Sequence, residues 1–199
     1  MMTIRLRAAL ASGNRYKAVE LGVLLPGFVI ETLDMSSAPE EVGDTFWENA
    51  LAKARYGRTT ADPDAWVLGE DSGLEVHALG NAPGIRSARY AGPDATEAQN
   101  MSKLLHAMAG RSDRRARYRC ELACITPDDR VLRAGGTLDG VLVTDLRGDG
   151  GFGYDPIILP HGETDTVAQL GDAWKASNSH RARAASQLHT QLADSGAGR

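Results

Sequence analysis

The sequence predicts an α/β fold built on a mixed β-sheet with helices packed against it. Three observations carry this expectation. Strand-like and helix-like segments intermix along the chain. Two helices are announced by capping-box pairs, Thr45 with Glu48 and Thr96 with Gln99. Residues 116–126 alternate with a period of two, and Pro127-Asp128-Asp129 turns them into a second strand region, which predicts an antiparallel meander in mid-chain. The 199 residues, 42% apolar and 24% charged, are ordinary globular usage. With no linker, repeat or low-complexity segment, one domain over 1–199 is expected.

The elements follow in order. Residues 3–11 (TIRLRAALA) read as a strand entering Ser12-Gly13-Asn14. Residues 15–25 form a helix in which Val19 and Val23, and likewise Leu21 and Leu25, stand four apart. Residues 28–33 read as a strand, and a polar loop leads to the Thr45-capped helix, which ends near Arg58. Trp66-Val67-Leu68 is a short strand stopping at Glu70-Asp71-Ser72-Gly73, and Leu74 to Leu79 form another. The Thr96-capped helix reaches Ala109, with Met101, Leu104, Leu105 and Met108 as its core stripe. In 116–126, Ala116, Tyr118, Cys120, Leu122 and Cys124 share one face and Arg117, Arg119 and Glu121 the other, a half-buried strand. Residues 166–174 are helical, and Ser179 caps a last helix to Leu192.

Composition narrows the function classes. The net charge is -4, whereas a nucleic-acid-binding domain shows a basic face and a high pI. The densest basic run, 111–119 (RSDRRARYR), stands alone. No stretch approaches the roughly 20 apolar residues of a membrane helix. The N-terminal stretch, interrupted by Arg5 and Arg7, is no signal peptide, so a cytoplasmic location is expected. Cys120 and Cys124 have neither metal-site nor CxxC spacing and read as reduced core residues. Of 22 basic residues only four are Lys (Lys17, Lys53, Lys103 and Lys175), the other 18 being Arg. A chain so rich in Arg has reason to retain Lys where a compact ammonium is required.

Four stretches carry candidate chemistry. Ser12-Gly13-Asn14-Arg15-Tyr16-Lys17 joins a strand to a helix, where unpaired N–H groups favour an anion; a phosphate cradle and an ordinary turn both fit. Glu70-Asp71-Ser72-Gly73 offers adjacent carboxylates suited to a hard cation such as Mg²⁺, or a hydrogen-bonded turn. Glu40, Glu41 and Glu48 are further acidic candidates, Glu48 being explained more simply by the capping box. The loop RGDGGFGYDP (147–156) presents Phe152 for stacking and Asp155 for hydrogen bonding to a planar heterocycle, or is a glycine-rich hairpin with buried aromatics. Lys175 to Arg181 places basic residues at a helix start, against the helix dipole, which calls for an anionic partner.

Taken in order, SGNRYK, EEVGDTFWENALAKA, EDSGLEVHALGNAPGIRSARYAG, GDGGFGYDP and SHRARA make the chain resemble the inosine triphosphate pyrophosphatase family from Ala11 to about Leu192. The resemblance implies a long mixed β-sheet flanked by helices, two lobes around a central cleft, a homodimer and a need for Mg²⁺. It implies hydrolysis of dITP, ITP, XTP and dXTP between the α- and β-phosphates. By matching position, Ser12, Gly13, Asn14, Arg15, Tyr16 and Lys17 would hold phosphates, and Glu41 and Asp71 would bind Mg²⁺. Asp71 would also activate the water, and Lys53 would reach the phosphates. Ser72 and Lys175 would contact the nucleotide, Phe152 would stack on the base with Gly153, Tyr154 and Asp155 shaping its pocket, and His180 with Arg181 would recognise the base. Neither a nucleic-acid nor a membrane partner is implied.

The chain departs from the family pattern at Glu70, where Asp is usual, and at Asn81, Arg86, Trp174 and Asn178. Three other readings are open. They are a Maf-like pyrophosphatase, which the FGYDP and SHR motifs oppose; a non-catalytic nucleotide-binding protein, which Lys17, Glu41, Lys53 and Asp71 together oppose; and a nucleic-acid module using 111–119.

Overall fold

The computed structural model describes residues 6–194. The part of the first expected strand at residues 3–5 lies outside them. Among the described residues, six strands form one mixed sheet in the order β2-β1-β3-β4-β5-β6. They are β1 (Leu6–Ala11), β2 (Phe28–Thr32), β3 (Trp66–Val76), β4 (Arg115–Ile125), β5 (Val131–Leu142) and β6 (Ile158–Pro160). β1 pairs parallel with both β2 and β3, whereas β5 and β6 are antiparallel. The helices are α1 (Arg15–Leu24), α2 (Phe46–Thr60), α3 (Glu97–Ala107), α4 (Val167–Asn178) and α5 (His180–Asp194).

The chain divides into two compact units. The first comprises Met1–Asp71, Cys120–Gly136 and Arg181–Arg199. The second comprises Ser72–Arg119 and Thr137–His180.

In the first unit, Leu10, Leu21, Leu25, Phe28, Trp66, Leu68, Leu122 and Leu188 share one core. A smaller core of Ala50, Ala54, Val67, Ala123 and Ile125 lies under α2. These two groups split β3 by parity. Trp66 and Leu68 point one way and Val67 the other, the period of two that a pleated strand imposes. Of the two spaced pairs in α1, only Leu21 and Leu25 are buried, while Val19 and Val23 face solvent. The second unit has its own core, to which Leu74, Val76, Met101, Leu104, Met108, Tyr118 and Ile157 contribute, so the methionines of α3 are packing residues as expected.

The capping boxes at Thr45 and Thr96 are both formed. α2 lies close on β3 because the residues facing it are small. Ala50, Ala54 and Gly57 follow one another at helical spacing, and all are buried. A side chain at Gly69 would sit 2.1 Å from the Ala50 carbonyl oxygen and 2.6 Å from the Ala54 nitrogen.

Three sequence expectations are corrected. β3 runs unbroken from Trp66 to Val76, so Glu70-Asp71-Ser72-Gly73 is strand and not turn. Both faces of that segment are covered, and burial outweighs the poor strand propensity of Gly and acidic residues. β4 is half-buried only at its start. From Cys120 to Ile125 every residue is buried, and Glu121 is accommodated by Arg133 at 2.9 Å. Lys175 stands in the last turn of α4, where the dipole favours a cation, and not at a helix start.

The close approach at Gly69 leads to a direct test. Gly69→Ala must push α2 off the sheet and is expected to destabilise the chain by about 1–3 kcal/mol or more, measured by denaturant unfolding. Unchanged stability would contradict the packing described.

Candidate active site

Adjacent residues on β3 serve opposite faces. Asp71 points toward α2. Lys53 and Asn49, one helical turn apart, meet it there: Lys53 Nζ donates to Asp71 Oδ1 at 2.8 Å, and Asn49 Nδ2 to Oδ2 at 3.2 Å. The same ammonium reaches Glu41 Oε1 at 2.6 Å and the Glu70 carbonyl oxygen at 3.2 Å. Asn49 is itself held by the Gly43 N–H on its Oδ1 at 3.0 Å, which fixes the loop before α2. Burial opposes the Lys53 charge, but the Asp71 and Glu41 carboxylates outweigh it and keep the ammonium protonated. Burial pushes the Asp71 carboxyl upward, against the pull of Lys53 and Lys17.

Glu70 faces the other way and is fully buried. Lys17 Nζ lies 2.8 Å from Oε2, Arg181 Nη2 lies 3.0 Å from Oε1, and the Cys120 thiol donates at 3.4 Å. Arg181 also pairs with Glu20. Two carboxylates and two cations therefore offset one another in the core, which is what a buried charge requires. The cysteine reading holds, since both thiols are buried and free. Burial raises Cys120 well above its usual range, with Glu70 adding to it, and raises Cys124 to about 12.

The turn from β1 into α1 differs from the expected cradle in one respect. Asn14 caps α1 by accepting from the N–H groups of Tyr16 at 2.9 Å and Lys17 at 3.4 Å, and its own N–H donates to Ser12 Oγ at 3.2 Å. Those helix-terminal donors are already engaged. Gly13 and Arg15 are exposed, and Tyr16 is 64% exposed.

A second cluster belongs to the other unit. Asp155, 4% exposed, is filled by the chain's own donors. Tyr118 Oη donates to Oδ1 at 2.9 Å, and Oδ2 accepts from Lys175 Nζ at 3.0 Å and from the Phe152 N–H at 3.1 Å. Gly151 makes this possible: its φ is 73°, and a Cβ there would lie 2.2 Å from Asp155 Oδ2. Lys175 Nζ sits 4.6 Å from the centre of the Phe152 ring. Tyr154 is buried and donates to the Ser87 carbonyl oxygen at 2.9 Å. The rings of Tyr118 and His180 stack, centroids 4.7 Å apart and planes within 10°.

In the first unit, Glu41 and Asp71 meet at Lys53 on one face of β3, and Lys17 and Arg181 meet at Glu70 on the other. In the second, Phe152 and Lys175 meet at Asp155, joined to His180 through Tyr118, with Gly153 and Tyr154 in the same loop. Ser72 is half-buried in β3. Glu40 is exposed, and Glu48 is the capping partner of Thr45. The sequence reading passed over Tyr118, Asn49 and Glu20. A hydroxyl on the apolar face of β4 was the available clue to Tyr118, since a buried phenol needs a partner.

Among the departures from the family pattern, Asn81, Trp174 and Asn178 also find physical reasons, and nothing in the structure explains Arg86. Asn81 adopts φ 68°, a left-handed conformation Asn tolerates better than most residues. Trp174 Nε1 donates to Glu163 at 2.9 Å, and Asn178 Nδ2 to the Trp174 carbonyl at 3.0 Å. In the arginine-rich run, Arg111, Arg114, Arg115 and Arg117 all bond to groups of their own unit.

Two carboxylates converging on one cation are a hard-oxygen donor set. The described residues hold no group of three or more His, Cys, Asp or Glu placed for a metal. Carboxylates such as Glu41 and Asp71 are the donors a hard ion such as Mg²⁺ takes alongside waters and phosphate oxygens. Among the described residues, no helix is long and apolar enough to cross a membrane.

Comparison with known proteins gives a consistent result. A model of the Ham1 family matches residues 8–191. A dITP/XTP pyrophosphatase of Syntrophobacter fumaroxidans is 44% identical over 191 residues, covering 92% of this chain and 80% of that protein. The Ham1 protein structure from Staphylococcus aureus superposes with a TM-score of 0.84 at 34% identity, covering 95% of this chain and 99% of the other. A HAM1 protein structure from Coxiella burnetii gives 0.82 at 39% identity, with the same coverage of 95% and 99%.

Arg181 is the hub of the buried charges, and its loss leaves Glu70 and Glu20 short of a cation. Arg181→Ala is expected to cost about 3–5 kcal/mol, a fall in Tm of roughly 6–20 °C for a chain of this size. A calorimetric shift of only a degree or two would show that Lys17 alone supports Glu70.

Proposed function

We propose that this chain, which belongs to the Ham1 family, is a nucleoside triphosphate pyrophosphatase for deaminated purines. It hydrolyses dITP, ITP, XTP and dXTP to the monophosphate and pyrophosphate, removing them from the nucleotide pool. The observation that carries this reading is the Lys53 ammonium lodged between Glu41 and Asp71. Relatives named dITP/XTP pyrophosphatase support the substrate class.

In this reading the first unit handles phosphate. Lys17 and Lys53 supply fixed positive charge to a polyanion, and Ser12, Gly13, Asn14, Arg15 and Tyr16 border it. Glu41 and Asp71 would hold Mg²⁺, which when bound neutralises phosphate charge and polarises the oxygens it touches. Asp71 takes a proton from the attacking water as the new oxygen–phosphorus bond forms at the α-phosphate. The bond to the β-phosphate oxygen then breaks, and pyrophosphate carries away the electron pair. A carboxyl raised by burial is better matched to that task than an exposed one. Asn49 keeps the Asp71 carboxylate aimed, and Glu70 restrains Lys17 from the opposite face of β3.

The second unit handles the base. Lys175 lies over the Phe152 ring, and Phe152 is the residue that stacks on the purine. Asp155 has no oxygen without a donor, so it organises Phe152 and Lys175 and does not read the base itself. His180 and Lys175 supply the donors that a 6-oxo purine accepts and a 6-amino purine does not. Gly153 and Tyr154 shape the loop, and Ser72 contacts the nucleotide. Arg181, committed to Glu20 and Glu70, acts by holding the start of α5. The same reading includes a homodimer, which light scattering checks.

The assay is pyrophosphate release from ITP, XTP, dATP, dGTP and dTTP, with and without Mg²⁺. Release confined to the deaminated purines and to the metal-containing arm is expected. Equal rates on dTTP would favour a pyrimidine-acting enzyme instead. Asp71→Asn should lower kcat by about 10²–10⁴-fold with the fold retained; near-normal turnover would remove Asp71 as the base. Phe152→Ala should raise KM for ITP with little change in kcat, and an unchanged KM would exclude stacking on Phe152.

A further inference from the structure

Tyr118 has no role in the chemistry described so far, yet it touches two residues of the base-handling cluster. It lies in β4, 6% exposed, within the second unit's own core. Its ring stacks on His180 at 4.7 Å and 10°. Its hydroxyl donates to Asp155 at 2.9 Å, and Asp155 in turn grips Lys175 and the Phe152 N–H. One side chain thus sets an imidazole plane with its face and a carboxylate with its edge.

We propose that Tyr118 is a positioning residue for purine selection, fixing the tilt of His180 and anchoring the Asp155 clamp on Phe152 and Lys175. The inference rests on the pyrophosphatase reading above. Recognition of a planar base by side-chain donors needs those donors held within roughly 10–20° of their working direction. His180 opens α5 and is buried, 6% exposed, with the Tyr118 ring lying flat against its own. The Tyr118 face supplies that restraint. The hydroxyl keeps its proton, because burial and the adjacent Asp155 raise its ionisation well above the usual phenol range. It is therefore a permanent donor. Removing it leaves a buried carboxylate oxygen without its hydrogen bond, which loosens Asp155 and, through it, Phe152 and Lys175. A slack clamp admits the wrong base more readily, because selectivity depends on the penalty for an unpaired polar group.

The test is a graded series measured with ITP and ATP in the presence of Mg²⁺. Tyr118→Phe removes the hydroxyl and keeps the ring, and Tyr118→Leu removes both. Tyr118→Phe should raise KM for ITP by roughly 3- to 30-fold while kcat stays within about twofold. The ratio of kcat/KM for ITP over ATP should fall by a similar factor. Tyr118→Leu should lower that ratio further. Combined with Asp155→Ala, Tyr118→Phe should add little, because both remove the bond between Tyr118 and Asp155. A residue serving packing alone would lower activity on both nucleotides equally, or only the unfolding midpoint, and either result overturns the proposal. So does a wild-type KM and selectivity in Tyr118→Phe, or a fully additive double variant. If the wild-type chain releases no pyrophosphate from ITP, the pyrophosphatase reading fails and the inference falls with it; wild-type activity with an indifferent Tyr118 sinks the inference alone.

Discussion

The contact between α2 and β3 is the constraint from which the phosphate-handling cluster follows. No side chain at position 69 means the helix backbone can rest against the strand. At that separation, the helix positions just ahead of Ala50 and Ala54 present Asn49 and Lys53 to Asp71. A wider gap would leave a lysine reaching loosely across water. Here its ammonium is confined between two carboxylates and a carbonyl, in surroundings where charge interactions are stronger than in bulk solvent. The rigid part of the unit does the aiming, and the loop carrying Glu41 is drawn to it through Gly43 and Asn49.

The opposite face of β3 solves a different problem. A glutamate in the middle of a buried strand is costly unless it is matched. Lys17 and Arg181 match it from α1 and α5, so elements from the beginning and end of the chain are joined through one carboxylate. The strand therefore has a working side, where Asp71 meets Lys53, and a structural side, where Glu70 secures the lysine of the first turn. The usual aspartate of the family is one methylene shorter, and the longer Glu70 arm reaches both cations at hydrogen-bond distance.

Much of this was legible in the sequence. The capping pairs at Thr45 and Thr96 are local and announce their helices without help from the rest of the chain. The scarcity of lysine singled out four positions, of which Lys17, Lys53 and Lys175 bond to an acid, whereas Lys103 donates to the Tyr90 carbonyl and lies over its ring. What the sequence concealed depends on non-local burial. Glu70-Asp71-Ser72-Gly73 has the composition of a turn, and only layers on both sides of the sheet make it a strand. Had the strand been carried through to Val76, its parity alone would have sent Glu70 and Asp71 to different faces. Lys175 looked like an anion-seeking residue at a helix start because the preceding helix was expected to stop at 174, whereas α4 runs on to Asn178 past the break at Gly171. Tyr118 read as core, which it is, but its hydroxyl partner lies 37 residues away in sequence.

The alternation of β3 also has a consequence for chain length. Deleting or inserting a single residue in the strand ahead of Glu70 would reverse its phase, turning one acid toward α5 and the other toward α2. Composition and net charge would be almost untouched, yet Lys53 would face the wrong neighbour and Arg181 would lose its own. Substitution at these positions is a matter of degree, whereas a length change exchanges the two sides' duties outright. Viable indels in relatives should therefore fall in the connections and spare this strand.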